Sequence, residues 1–170
     1  MKSVVVTGGT GHLGAVVVPR LEREYEITLM RRGVNPPLLT APVHGLVLLA
    51  GGFAMGNAWE AMIEANVMSA ARAIDAIVPH IAEGGRVIAT SAAVTLISPP
   101  GIAAYTASKS AINGIIKTLA NELAPRKITA NALLPPTLDA TLMNDVAEWI
   151  AFLLSDRSDG VTGQLIEIRA

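Results

Sequence analysis

The amino-acid sequence predicts one α/β domain, residues 1–170, built on a doubly wound parallel sheet. Short apolar runs alternate along the chain with longer segments of helical periodicity, and this alternation is typical of helices that pack on a parallel sheet. One of the runs, GLVLLA at residues 45–50, is continuously apolar, as expected for a strand buried on both faces. With 51% hydrophobic residues, the chain has enough apolar side chains for one substantial core.

The composition excludes several classes of function. Charged residues make up 16% of the chain and the net charge is -1, so neither nucleic acid nor an anionic membrane is an expected partner. No apolar run is long enough to span a bilayer. The absence of cysteine excludes disulfides and thiolate metal sites and fits a cytoplasmic protein. Because His12, His44 and His80 are isolated in the sequence, we expect no metal site.

The first unit combines a strand, a glycine-rich loop and a helix. A strand predicted over residues 2–6 continues into TGGTGHLG at residues 7–14, and helical periodicity follows as far as residue 24. Glycines at this place let the backbone approach a pyrophosphate, whose charge is stabilised by the helix amino terminus. The alternative is a glycine-rich turn without a ligand. The predicted nucleotide contacts in this loop are Gly8, Thr10, Gly11, His12, Leu13 and Gly14.

The end of the second strand predicts which nucleotide binds. The strand covers residues 26–30 and is followed by Arg31 and Arg32. In dinucleotide-binding folds an acid at this place holds the ribose hydroxyls, whereas an arginine accommodates a 2'-phosphate. The two arginines therefore favour NADP over NAD, and the alternative is a solvated turn. Residues 34–43, which contain three prolines, are predicted to form a connector without helix or strand.

The middle of the chain contributes a central strand and a long helix. The strand over residues 45–50 ends at Gly51 and Gly52, which leave room for a ligand at the crevice of the sheet. Ala50 and these two glycines are predicted nucleotide contacts. The helix is predicted over residues 58–83 and contains Asn66 within its apolar stripe. A buried amide needs hydrogen-bond partners, so Asn66 either braces a backbone carbonyl or holds an ordered water.

A tyrosine and a lysine one helical turn apart predict proton-transfer chemistry. The helix over residues 104–124 carries Tyr105 and Lys109 on one face. A nearby ammonium favours the phenolate, so the tyrosine would become a usable proton donor and acceptor near neutral pH. The alternative is a half-buried tyrosine beside a solvated lysine. The preceding strand, residues 86–89, runs into Thr90 and Ser91, where a hydroxyl could polarise a substrate carbonyl.

The remaining predicted elements complete the alternation. A strand over residues 127–134 ends at Pro135 and Pro136, a helix covers residues 146–154, and a last strand covers residues 164–168.

Taken together, these motifs resemble the short-chain dehydrogenase/reductase superfamily, which has a Rossmann fold. The matching segments are TGGTGHLG, LLAGG, EANVMSA, YTASK, ITANALLPPT and VTGQ. Most of them are similar to the common branch of the family, while the glycine loop with His12 is similar to the extended branch. The resemblance implies that Tyr105 is the catalytic acid/base, that Lys109 lowers its pKa and holds the nicotinamide ribose, and that Asn66 organises a water. It also implies nucleotide contacts at Pro135, Thr137 and Leu138.

The sequence departs from the family pattern in three ways. The family's catalytic serine corresponds to Ala92, and Ser91 lies one residue earlier. Pro136 replaces a glycine, which removes a backbone donor. The family's helix, strand and helix after Arg32, and its substrate-covering segment after Met143, are nearly absent. The chain is therefore either a shortened or engineered member of the family, or a sequence from which these segments have been omitted.

The resemblance implies an NADP-dependent oxidoreductase that transfers hydride between nicotinamide and a ketone, aldehyde or 3-oxoacyl substrate. It further implies a homodimer or homotetramer. The departures at Ala92 and Pro136, and the missing lid, motivate an alternative, which is a non-catalytic dinucleotide-binding or regulatory module.

Overall fold

Six parallel strands form the centre of the computed structural model, which describes residues 1–137 and 139–169. The strands are β1 (Lys2–Thr7), β2 (Tyr25–Met30), β3 (Val43–Leu48), β4 (Ile81–Thr90), β5 (Thr129–Leu134) and β6 (Leu165–Glu167). The helices are α1 (Gly14–Leu21), α2 (Trp59–Met62), α3 (Ser69–Ile77), α4 (Val94–Ile97), α5 (Ala103–Glu122) and α6 (Ala140–Leu154), with a π-helical turn, Ile63–Met68, that joins α2 to α3. The doubly wound parallel sheet predicted from the sequence is confirmed.

The core lies in two layers, one on each face of the sheet. On one face α3 and α5 contribute Ala73, Ile77 and Ile116, all of which are fully buried. On the other face α1 and α6 contribute Val17 and Ile150, which are equally buried. The near-continuous apolar composition of the strands follows from this arrangement, because the central strands are covered on both sides. None of the helices in the described ranges is long and apolar enough to cross a bilayer.

The strand order fixes where a ligand can bind. The sheet runs β2-β1-β3-β4-β5-β6, so the chain passes from β1 outward to β2 and then crosses back to place β3 on the other side of β1. Parallel strands whose connections diverge leave a crevice at their carboxyl ends. In this chain the crevice opens above β1 and β3, directly after Thr7 and Leu48.

Two predicted helix boundaries are wrong. The long helix was expected to continue to residue 83, but it ends at a 3-10 turn, Val78–His80, and β4 begins at Ile81. Pro79 lies in that turn, and proline removes a donor that a continuing helix needs. The last helix was expected to begin at residue 146, but α6 begins at Ala140 because the Asp139 side chain caps it, accepting a hydrogen bond from Leu142 N at 2.9 Å.

The connector between β2 and β3 contains neither helix nor strand, as the prolines predicted. β2 therefore lies at the edge of the sheet, paired with β1 alone among the described residues. The junction after Met143, where the family's substrate-covering segment was expected, lies inside the continuous helix α6.

Candidate active site

The glycine loop packs backbone against backbone at the crevice. Gly8 has a φ of +69°, and a Cβ added there would lie 2.5 Å from Ala50 N. A Cβ on Gly14, where α1 begins, would lie 2.4 Å from the carbonyl oxygen of Gly8. The Thr7 hydroxyl accepts a hydrogen bond from Ala50 N at 3.2 Å and ties the loop to the end of β3. No side chain larger than hydrogen fits at either glycine, so both positions require glycine if the loop is to pack this closely against the end of β3 and the start of α1.

A cleft of about 1480 Å³ begins at this loop and runs across the carboxyl edge of the sheet. The predicted site residues that line it are Gly8, Thr10, Gly11, His12, Leu13, Gly14, Arg31, Arg32, Ala50, Gly51, Gly52, Ser91, Tyr105, Lys109 and Pro135. Neither Asn66 nor Thr137 lines it, and Leu138 lies outside the described residues. The structure therefore brings the glycine loop and the tyrosine–lysine pair to one cavity, large enough for a dinucleotide with a small substrate.

One end of the cleft is rich in arginine. Arg31 and Arg32 follow β2 and are exposed, and neither takes part in an ion pair with another described residue. Arg72 on α3 also lines the cleft, and its guanidinium pairs with Glu64. Two unpaired guanidinium groups at the end of the second strand fit a phosphate group.

Tyr105 lies in the first turn of α5 and is half-buried. Burial raises the pKa of its phenol, and this direction is opposite to the one expected from the sequence. The physical reason is that desolvation disfavours the phenolate. The ring of Phe53 stands edge-on to the tyrosine ring, with 5.0 Å between the ring centroids and an interplanar angle of 83°.

Lys109 is buried rather than solvated, with 7% of its surface exposed. Its Nζ donates a hydrogen bond to the carbonyl oxygen of Thr90 at 3.0 Å. No carboxylate in the described part of the chain pairs with this ammonium, and desolvation lowers its pKa to about 8. A Cβ on Gly51 would lie 3.1 Å from Nζ, so a side chain at this position would crowd the ammonium.

Asn66 links the end of β3 to α5 through hydrogen bonds beside the cleft. It lies in the π-helical turn with 1% of its surface exposed. Its Oδ1 accepts a hydrogen bond from Gly52 N at 2.7 Å, while Nδ2 donates to Gly52 O at 3.1 Å and to Ser108 Oγ at 2.8 Å. The Ser108 hydroxyl donates in turn to the carbonyl oxygen of Tyr105 at 2.7 Å. Of the two roles left open by the sequence, this geometry is the bracing one.

The two hydroxyl residues at the end of β4, Thr90 and Ser91, differ in their hydrogen bonding. Ser91 is 2% exposed, and its hydroxyl donates to the carbonyl oxygen of Lys109 at 3.1 Å. Ala92 also lines the cleft and provides no hydroxyl. The Thr90 hydroxyl is buried and has no hydrogen-bond partner within residues 1–137 and 139–169, although the residue lines the cleft. The hydroxyl of Ser91, the serine favoured by the sequence, is thus hydrogen-bonded to α5, whereas the hydroxyl of Thr90 makes no hydrogen bond to the described residues.

Sequence reasoning missed Phe53, and at the end of β4 it selected Ser91 rather than Thr90 as a site residue. The signal for Phe53 was available, since aromatic residues are only 4% of the chain and this one directly follows Gly52. The sequence does not distinguish the hydroxyl of Thr90 from that of Ser91, because only the packing around β4 shows that the Thr90 hydroxyl lacks a partner among the described residues.

Comparison with known proteins assigns the family. The model of the family described as short chain dehydrogenase matches residues 39–151. The chain belongs to the short chain dehydrogenase family. This confirms the resemblance inferred from the motifs, and the Rossmann-type sheet accords with it.

Two curated relatives align with much of this family member. An uncharacterized oxidoreductase of Methylorubrum extorquens is 34% identical over 131 residues, which cover 62% of this chain and 53% of the relative. The 3-oxoacyl-[acyl-carrier-protein] reductase FabG of Staphylococcus epidermidis is 29% identical over 135 residues, covering 65% of this chain and 55% of that protein. The matched part therefore spans about half the length of these relatives.

Solved structures share the fold. A blue fluorescent protein from a metagenomic library, in complex with NADPH, has a TM-score of 0.86 and 23% identity, covering 98% of this chain and 96% of that one. The 3-ketoacyl-(acyl-carrier-protein) reductase of Brucella melitensis, complexed with NADH, has a TM-score of 0.83 and 19% identity, covering 98% and 96%. At these identities the likeness concerns the fold.

Proposed function

We propose that this short chain dehydrogenase family member is an NADP-dependent oxidoreductase that interconverts a carbonyl compound and its alcohol. The observation that carries the proposal is the convergence of two features in one cleft. Tyr105 and Lys109 lie one helical turn apart on α5, and both line the cavity that the Gly8–Gly14 loop begins. The substrate class proposed is a ketone, an aldehyde or a 3-oxoacyl compound, and the printed name of the FabG relative supports the last of these.

The residues of the cleft fit a dinucleotide with a 2'-phosphate. The tightly packed glycines hold the loop against the end of β3, and the loop lines the cleft at the amino end of α1, where a pyrophosphate would lie. The exposed guanidinium groups of Arg31 and Arg32 line the same cleft and would pair with the additional phosphate. The bound nicotinamide nucleotide supplies the hydride.

Tyr105 supplies the proton in this proposal. Its raised pKa keeps the phenol protonated at neutral pH, which suits a group that donates a proton to a carbonyl oxygen as the alcohol forms. Lys109 then acts at the moment when charge develops on the phenol oxygen. The ammonium is desolvated, so its attraction for that charge is stronger than it would be in water.

Asn66 and Ser91 act as positioning residues. Asn66 fixes Gly52 and, through Ser108, the first turn of α5 that carries Tyr105. Ser91 holds the α5 backbone at Lys109. If Ser91 instead polarises the substrate carbonyl, its hydroxyl must first break its hydrogen bond to the carbonyl oxygen of Lys109.

A second candidate function is that of a dinucleotide-binding module without turnover. It is favoured by one observation, the engagement of the Ser91 hydroxyl beside an alanine at position 92. In either case we propose a cytoplasmic protein that assembles as a homodimer or homotetramer and binds neither nucleic acid nor membrane.

The test compares the two tyrosines of the chain. NADPH oxidation is measured with a panel of ketones, aldehydes and a 3-oxoacyl thioester, for the wild type, Tyr105→Phe and Tyr25→Phe. We expect Tyr105→Phe to lower kcat by about 100-fold or more, because a general acid typically contributes that much. Tyr25→Phe, on the opposite side of the sheet near its amino edge, should retain activity.

Measurements of NADPH and NADH binding, together with turnover, distinguish the oxidoreductase from the binding module. Thermal-shift titrations should give a larger stabilisation with NADPH than with NADH, and Arg31→Ala with Arg32→Ala should reduce that difference. Stabilisation by NADPH without turnover of any substrate would support the binding module instead. Full activity of Tyr105→Phe would refute the assignment of the acid.

A further inference from the structure

We infer that the substrate is a neutral carbonyl compound with an aromatic or extended aliphatic group beside the carbonyl, and that this group packs against Phe53. The inference rests on the proposed function and names the substrate class for that same cleft. It is carried by an exposed aromatic side chain in contact with the proposed acid, and by the distribution of charge along the cleft.

Phe53 is placed to contact a molecule that reaches Tyr105. It lines the cleft, its ring centroid is 5.0 Å from that of the tyrosine, and 62% of its surface is exposed. An edge-on contact orients the two rings without covering the faces of Phe53. An apolar substituent of a substrate at the tyrosine hydroxyl would cover that surface and gain by its removal from water.

The loop that carries Phe53 is held in place relative to Tyr105. Gly56 N donates a hydrogen bond to Gly101 O at 3.1 Å, which joins this loop to the segment just before α5. At its other end Gly52 is held by both amide atoms of Asn66. Phe53 is therefore anchored on both sides, so its surface is a fixed part of the cleft.

Apart from Lys109, the charged residues that line the cleft come from two places, the end of β2 and the helical segment that includes α3. Among the lining residues that the structure describes, the charged ones are Arg31, Arg32, Glu64, Arg72, Asp75 and Lys109. All but Lys109 follow β2 or lie on the helical segment that includes α3. At the reacting end Phe53, Ala92, Pro135 and Pro136 are uncharged, and the Lys109 ammonium already donates to Thr90 O.

This distribution discriminates between substrates. A carboxylate close to the reacting carbonyl would lose its hydration beside Phe53 and the two prolines. The lining cation at that end, Lys109, is only 7% exposed and is assigned to the phenol of Tyr105 in the proposed function. An aromatic or aliphatic group meets no such cost and covers exposed apolar surface. Substrates such as 2-oxoacids are therefore rejected, whereas aryl ketones and longer alkyl ketones are accepted.

The experiment measures kcat/KM with NADPH for four probes: a phenyl ketone, a medium-chain methyl ketone, butanone and pyruvate. We expect the phenyl and medium-chain ketones to exceed butanone by about tenfold or more and pyruvate by a larger factor, as apolar pocket contacts typically give. Phe53→Ala should lower the advantage over butanone by about tenfold without changing the Kd for NADPH. Phe53→Leu, which keeps an apolar side chain, should retain most of it.

Phe152→Ala is the matched control, because this second phenylalanine lies on α6 against Trp149 rather than in the cleft. It should leave the substrate ratios unchanged. A preference for pyruvate, or unchanged ratios in Phe53→Ala, would overturn the inference while the proposed function stands. If neither these probes nor the aldehydes and the 3-oxoacyl thioester of the wider panel are turned over, the proposed function fails. The inference is then decided by thermal shift: with NADP present, the phenyl ketone should stabilise the wild type more than Phe53→Ala, and equal stabilisation would overturn it.

Discussion

A cation is buried at the amino edge of the sheet, where the parallel strands begin, and another at the carboxyl edge, where they end. The two cations differ in the number of hydrogen-bond acceptors around them. At the amino edge Arg86 is 2% exposed, and its guanidinium donates to the carbonyl oxygens of Gly84, Gly85 and Ser155 and pairs with Asp159. At the carboxyl edge Lys109 is 7% exposed and donates to a single carbonyl oxygen. The first cation has four acceptors, although its Nε lacks a partner among the described residues, whereas the second has one acceptor.

The polar groups around the two cations differ in the same way. The cavity at the amino edge, about 780 Å³, is lined by ion pairs such as Lys2 with Asp156 at 2.7 Å and Lys127 with Glu83 at 2.8 Å. At the carboxyl edge the exposed arginines that follow β2 and the buried Thr90 hydroxyl lack protein partners among the described residues. Polar groups that satisfy one another stabilise a fold, whereas groups left unsatisfied are available to a ligand.

The largest expected effect is that of removing the cation with four acceptors, Arg86. Arg86→Met removes hydrogen bonds to three carbonyl oxygens and one carboxylate. At about 1 kcal/mol for each bond, the free energy of unfolding should fall by about 3–4 kcal/mol, measured by urea denaturation. Lys127→Met removes an exposed cation from the same edge and should change stability little. Equal losses in both variants would remove the distinction between buried and exposed cations.

The corresponding change at the other edge should have the opposite sign. Lys109→Met removes an ammonium whose burial lowers its pKa from 10.5 to about 8, a cost on the order of 3 kcal/mol. Since the bond to Thr90 O is lost as well, at about 1 kcal/mol, the net gain in stability at pH 7 should be on the order of 2 kcal/mol. NADPH oxidation should fall in the same variant, as expected where a site trades stability for activity.

The pH dependence tests the origin of that gain. Between pH 8 and 10.5 the unfolded chain binds more protons at this lysine than the folded chain. The free energy of unfolding should therefore rise with pH across this window, whereas below pH 8 the full cost of the buried charge is present. Lys109→Met should lack this part of the rise, because it lacks the titrating group. Parallel curves for the two proteins would show that the ammonium is not destabilising.

The smallest expected effect concerns Thr90 at the end of β4 and Thr95 in the neighbouring helix α4. Thr90→Val replaces a buried hydroxyl without a partner and should raise the free energy of unfolding by about 1 kcal/mol. Thr95→Val should lower it by about 1–2 kcal/mol, because the Thr95 hydroxyl donates to Ala92 O at 2.9 Å and accepts from Asn113 Nδ2 at 3.1 Å. Thermal denaturation of both variants measures the difference. A loss of stability in Thr90→Val would mean that this hydroxyl has a partner in solution.

Local sequence patterns predicted which helices and strands form better than they predicted where those elements begin and end. The glycine loop, the six strands and the helix of Tyr105 all follow from short-range periodicity and turn residues. The predicted end of the long helix was wrong because Pro79 stops the helix before the glycines at positions 84 and 85. The early start of α6 was missed because its cap depends on one side chain, that of Asp139.

By itself the sequence determined the parallel α/β fold and the placing of a phenol and an ammonium on one helix face, because helix and strand periods are local properties of the chain. Only the tertiary structure decided that Lys109 is buried against β4, that burial raises the pKa of Tyr105, and that Asn66 is bound to Gly52. Desolvation and hydrogen-bond partners depend on residues far apart in the chain. Packing alone brings such residues together.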